Sequence, residues 1–109
     1  IPTFVATNST EALTNTSTAV SVSTAISTVD SSGGAVTVTL AAGVTGQLKT
    51  IICTTAGNNI TVTPAATVGS GTTVVLDAAG ESVQLLYTGT AWAAVATSSF
   101  ATNIATVIQ

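Results

Sequence analysis

Histidine and methionine are missing from this chain of 109 residues, and cysteine, tryptophan and tyrosine occur once each. Lysine and arginine together contribute a single residue, Lys49. Each shortage excludes something. Without histidine there is no imidazole base to activate a serine or cysteine nucleophile. With one cation the chain is a poor nucleic-acid binder, because binding needs several Lys and Arg side chains to displace phosphate counterions. Cys53 has no partner for an internal disulfide. With no cations near it in the sequence, it reads as a small buried apolar residue rather than a reactive thiol. No apolar run approaches the roughly 20 residues of a membrane-spanning helix. No basic stretch leading into an apolar one marks a signal peptide. In the absence of methionine, Ile1 is not expected to be a translation start.

Charge is scarce altogether. The charged residues are Glu11, Asp30, Lys49, Asp77 and Glu81, for a net charge of −3, whereas charged residues make up about a quarter of an ordinary soluble domain. Ser and Thr, about a third of the chain, must do the solvating. A surface so poor in charge tolerates close contact with copies of itself, which suits a permanent assembly. The alternative is a secreted, low-charge β domain that is monomeric. The length is that of one domain. Much of the apolar content is alanine, so the core is expected to be thin and to be completed by subunit contacts.

What is there is a strand pattern. Glu81–Val95, ESVQLLYTGTAWAAV, reads as a hairpin. Val83, Leu85 and Tyr87 alternate onto one face, Thr88-Gly89-Thr90 supplies the turn, and Trp92 opens a return strand that is apolar on both faces. Such a strand lies inside a sandwich or against a neighbouring subunit. Upstream, Ala19–Val29 forms one strand or two short ones. Further strands follow at Ala35–Leu40, Gln47–Thr54, Ile60–Thr63 and Thr72–Leu76, separated by glycine-bearing turns about 9–12 residues apart. All nine glycines fall between Gly33 and Gly89. The chain therefore divides into an N-terminal arm with the first strands (residues 1–32), a glycine-punctuated core (33–96) and a C-terminal arm or edge strand (97–109). Glu11-Ala12-Leu13 could form one turn of helix. Leu40-Ala41-Ala42-Gly43 with Gln47-Leu48 resembles Leu76-Asp77-Ala78-Ala79-Gly80 with Gln84-Leu85, a weak repeat at an offset of about 37 residues. Together these features predict an all-β fold, an antiparallel β-sandwich or jelly-roll-like domain with extended N- and C-terminal arms. Phe4 and Val5 anchor one arm; Phe100, Ile104 and Ile108 anchor the other. Leu85, Tyr87 and Trp92 are expected in the core.

Candidates for chemistry are few. Asp77 and Glu81 could form a glycosidase-type carboxylate pair or hold a cation, but they flank Ala78-Ala79-Gly80 and read better as a solvated turn. Lys49 either pairs with Asp77, Glu81 or an acid of another subunit, or covers the sheet with its stem while its head reaches water; the second reading is preferred. Tyr87 and Trp92 could form a sugar-stacking platform, although core packing is favoured in a chain with four aromatic residues. The Thr37/Thr39 and Thr61/Thr63 pairs resemble ice-binding faces, and also the ordinary preference of threonine for strands. Asn8, Asn15 and Asn59 begin glycosylation-type triplets, which matter only in a secreted eukaryotic protein. No catalytic, cofactor-binding or metal-binding residues are expected.

The runs Gly46-Gln47-Leu48-Lys49-Thr50-Ile51-Ile52 and Asn59-Ile60-Thr61-Val62-Thr63-Pro64, together with Leu76–Tyr87 and Gly89-Thr90-Ala91-Trp92, resemble a β module of tailed-bacteriophage virion proteins. The similarity covers residues 33–96 and is sharpest at LLYTGTAW. It implies a non-enzymatic virion structural protein, most like a capsid decoration (cement) protein. Such a protein sits on the capsid exterior as a homotrimer and braces the major capsid protein lattice. The alternative is a carbohydrate- or host-surface-binding module of a head or tail fibre. Neither implies nucleic-acid or membrane partners.

Overall fold

A computed structural model describes residues 10–98. Nine strands form two sheets: β1 (Thr10–Leu13), β2 (Ala19–Val20), β3 (Ile26–Asp30), β4 (Val36–Leu40), β5 (Leu48–Thr55), β6 (Ile60–Pro64), β7 (Val74–Leu76), β8 (Ser82–Tyr87) and β9 (Trp92–Ser98). The first sheet has the order β1-β3-β5-β8-β9 and the second β2-β4-β6-β7. The fold is all-β, as the strand pattern predicts, but the sheets are mixed. β1, β3 and β5 pair in parallel, as do β2, β4 and β6; only β5/β8, β8/β9 and β6/β7 are antiparallel.

The expectation of purely antiparallel sheets fails for a definite reason. The turns between β1 and β6 do not fold the chain back beside itself within one sheet. They carry it across to the other sheet, so β1 to β6 alternate between layers and wind as three stacked coils, residues 10–25, 26–49 and 50–73. The second and third coils are in phase: Ile26 lies beside Thr50 and Val36 beside Ile60, each residue paired with its equivalent one coil later. This stacking explains a glycine. A Cβ on Gly57 would come within 3.2 Å of the Ser32 Cα in the coil beneath, so the closely stacked turns leave little room for a side chain there. Buried Ser31 ties the same two turns together: its Oγ donates to the Asn58 carbonyl (2.7 Å) and its own carbonyl accepts from Asn58 Nδ2 (2.9 Å). β7 then reverses along β6, and β8 and β9 complete the first sheet as an antiparallel pair.

Both sheets turn alternate residues onto one shared core. Val36, Val38, Leu40, Ile60 and Val62 come from the second sheet, and Val29, Ile51, Cys53, Val83 and Leu85 from the first. The hairpin expected over residues 81–95 forms. Its turn closes with Thr88 N–H donating to the Ala91 carbonyl (2.9 Å), and Gly89 takes a φ of 112° that other residues rarely adopt. Tyr87 and Trp92 sit opposite each other, edge to face, with ring centroids 5.1 Å apart. Trp92 is 1% exposed and its indole N–H donates to the Ala41 carbonyl at 2.9 Å. β9, however, is an edge strand, and Ala94, Val95 and Ala96 on it are exposed.

Residues 10–13 form strand rather than a helical turn, and Leu13 joins the core. Part of the segment expected as an arm thus belongs to the first sheet. The expected anchors Phe4, Val5, Phe100, Ile104 and Ile108 lie outside the described residues. Replacing Trp92 with Ala should cost about 3–5 kcal/mol, through lost burial and an unpaired Ala41 carbonyl. Chemical denaturation of wild type and variant measures the difference, and equal stability would contradict the packing described here.

Candidate functional site

The least expected feature is Lys49. Strand alternation puts Lys49, Ile51 and Cys53 on the core face of β5, and all three are buried. Register with β8 sets Lys49 beside Leu85. Its ammonium is fully enclosed and donates to the Thr24 carbonyl (2.9 Å) and Thr24 Oγ1 (2.7 Å), with Glu11 Oε1 at 3.9 Å. That carboxylate oxygen also accepts from Ser27 Oγ (2.6 Å) and from the Ser21 backbone N–H (2.7 Å). Gln47, two residues before Lys49, donates from Nε2 to the Val22 carbonyl (2.6 Å) and accepts the Val44 N–H (3.0 Å). One polar network thus fastens β1, the 21–25 connection and the start of β5.

This corrects the preferred sequence reading. The Lys49 head does not reach water, and its acidic partner is Glu11 rather than Asp77 or Glu81. A buried ammonium left alone would cost several kcal/mol; the two hydrogen bonds to Thr24 and the Glu11 charge offset that. Burial still pushes the Lys49 ammonium below the ordinary lysine range, and the Glu11 charge opposes the shift. Sequence reasoning missed Glu11 and Thr24, which lie far back along the chain, on β1 and in the connection between β2 and β3. The available signal was parity: a lysine in phase with Ile51 and Cys53 faces the core and needs a partner there.

The remaining acids are held locally. Asp30 accepts from Ser32 Oγ (2.6 Å) and Ser32 N–H (2.9 Å), which lowers its pKa. Glu81 Oε1 accepts the Asp77 and Ala78 amides at 2.6 and 3.0 Å, and these bonds help to hold its carboxyl below the ordinary range. Asp77, hydrogen-bonded to Glu81 and facing its charge, is raised. The pair is a turn-closing device. Burial raises the Cys53 thiol, as do the charges of Glu81, Asp30 and Asp77, which leaves it a poor nucleophile.

The second sheet's outer strand face carries no charged side chain, and the first sheet's carries only Asp30, at the end of β3. In the second sheet, register places Thr37 beside Thr61 and Thr39 beside Thr63, flanked by Val75 and Ala19. In the first sheet the outward side chains include Ile26, Thr50, Gln84 and Ala96 in one row, and Leu48 with Leu86 in another. Leu48, Val75 and Val95 are each about half exposed. Tyr87 and Trp92 are buried and present no stacking face. Among the described residues no group of three or more His, Cys, Asp or Glu side chains is placed to hold a metal ion. The chain matches no protein-family model, curated protein or solved structure in the comparisons made.

Two outcomes check the lysine network. Glu11→Ala should cost about 3–5 kcal/mol because it strands the buried ammonium, whereas Glu11→Gln with Lys49→Met should cost less than Glu11→Ala alone; a double-mutant cycle measures this. The pH dependence has a defined sign. A lysine whose folded pKa is depressed binds fewer protons when folded, so its unfavourable contribution is relieved as pH rises from the folded value to about 10.4. Wild type should therefore gain stability relative to Lys49→Met across that alkaline window, as followed by denaturation at stepped pH.

Proposed function

We infer that this is a non-enzymatic structural protein that works by assembly, a decoration protein on the outside of a phage capsid, homotrimeric and bound to the major capsid protein. The observation that carries the reading is the scarcity of charge on the outer sheet faces: the second sheet's face has no charged side chain, and the first sheet's has only Asp30, bonded to Ser32. Faces so poor in charge, with half-exposed Leu48, Val75 and Val95, suit burial against another protein, and the second sheet's face can be covered without stranding an ion. The resemblance of residues 33–96 to phage virion modules gives the partner its identity. On this reading the two layers act as a β-sandwich in which stacked parallel coils replace part of the antiparallel meander. A sugar-binding fibre module, the competing function, would need a platform other than Tyr87 and Trp92.

Light scattering of the purified chain, alone and mixed with isolated capsid-protein shells, tests the proposal. The expected result is a trimer that saturates the shells at a fixed, lattice-like stoichiometry. Thr39→Lys and Leu48→Lys, each exposed and therefore tolerated by the fold, should weaken self-association or shell binding at least tenfold if their face is buried in the assembly. A monomer indifferent to shells would overturn the assembly reading.

A further inference from the structure

The strands run between two ends of the sandwich. β1, β3, β5, β7 and β9 point one way, and β2, β4, β6 and β8 the other. The connections 14–18, 31–35, 56–59 and 77–81 therefore gather at one end, and 21–25, 41–47, 65–73 and 88–91 at the opposite end. Backbone bonds tie each group together. At the first end the Cys53 N–H donates to the Glu81 carbonyl and the Ser31 N–H to the Thr55 carbonyl, both at 2.8 Å. At the second, the Gly46 N–H donates to the Tyr87 carbonyl (2.8 Å) and the Val68 N–H to the Trp92 carbonyl (2.9 Å).

Charge is divided unequally between these ends. The whole chain has five charged side chains. Lys49 and Glu11 face each other inside. Asp30, at the end of β3, and Asp77 and Glu81, in the 77–81 connection, all lie at the first end, where their charges act together on the Cys53 thiol. The four connections at the second end contain no charged residue. They carry instead Val44, 70% exposed, and Val68, 58% exposed, the two most exposed large apolar side chains among the described residues. Both flank buried Trp92: Val68 through its backbone bond, and Val44 through its neighbour Gly43, where a Cβ would lie 2.9 Å from the indole.

We propose that a second copy of the chain docks on this uncharged end, so that copies meet through the 41–47 and 65–73 connections and hold their acidic ends apart. The argument is electrostatic. Burying the acidic end requires cations from the partner. A copy of this chain has none to give, because its single cation is enclosed and bonded to Thr24. Contact between two acidic ends sets like charges together, and head-to-tail contact buries the acids against an end without cations. Two uncharged ends meet without stranding an ion and remove Val44 and Val68 from water. The inference rests on the assembly reading above and adds which end carries the contact between copies.

Light scattering of the full chain over a dilution series, with and without capsid-protein shells, tests it. Val44→Asp and Val68→Asp, in different connections of the uncharged end, should each raise the dissociation constant for self-association tenfold or more. Ala35→Asp, exposed at the acidic end, should leave it unchanged. All three positions are exposed, and the near-ultraviolet circular dichroism of Trp92 should stay as in wild type, showing that the fold is kept. Self-association that survives both valine variants but is lost in Ala35→Asp would overturn the inference and leave the assembly reading standing. Wild type that is monomeric at every concentration would overturn both. Valine variants that still self-associate but no longer bind shells would make the shell the occupant of this end and overturn the inference.

Discussion

Enclosing the only cation of the chain in its core is the constraint on which the rest of the structure leans. Lys49 cannot sit on the inner face of β5 unless Thr24 and Glu11 are brought to it. Thr24 lies in the connection that leads into β3, and Glu11 lies on β1. Meeting the ammonium therefore fixes the first strand and the path of the chain from β2 to β3. Ser27 and the Ser21 amide extend the tie by holding the carboxylate in place. Removing one member leaves a buried charge or a buried carbonyl without its partner, and such losses cost more than the intact pair contributes.

The same arrangement determines what the surface offers. A lysine drawn inward leaves no positive side chain among the described residues outside the core, and the acids are bound to neighbouring hydroxyls or amides. The stacked coils then present rows of threonine and small apolar residues in register. Two properties follow from one cause: an interior made specific by a polar tie, and an exterior whose second-sheet face carries no charged side chain.

Much of this can be read from the residues, because alternation is local. Val83, Leu85 and Tyr87 announce their shared face within a single strand, and the Thr88-Gly89-Thr90 turn and buried Trp92 follow from the same pattern. The connectivity cannot be read in that way. A glycine-bearing turn that reverses within a sheet and one that crosses between sheets look alike in sequence, so parallel coils pass for antiparallel hairpins. The distinguishing signal is a repeat with the period of one coil: Gly33 with Gly57, and Val36-Thr37-Val38-Thr39 with Ile60-Thr61-Val62-Thr63. The similarity at an offset of about 37 residues has another meaning. It marks the two crossings from the second sheet to the first, Leu40 to Gln47 and Leu76 to Gln84, which lie at opposite ends of the strands, so that β5 and β8 are antiparallel. Lys49 misleads for an energetic reason. A partner as distant in sequence as Glu11 leaves no local trace, and a solvated lysine head is the cheaper arrangement for a chain considered one strand at a time.

The central claim, that the single cation is held inside the protein, can be measured on one atom. Because the chain has one lysine, a sample labelled with ¹³C at lysine Cε gives one side-chain resonance to follow by NMR. The account predicts a titration midpoint below the ordinary value of about 10.4 and ammonium protons that exchange slowly with solvent. A midpoint at the ordinary value, with rapidly exchanging protons, would place Lys49 in water and contradict the account.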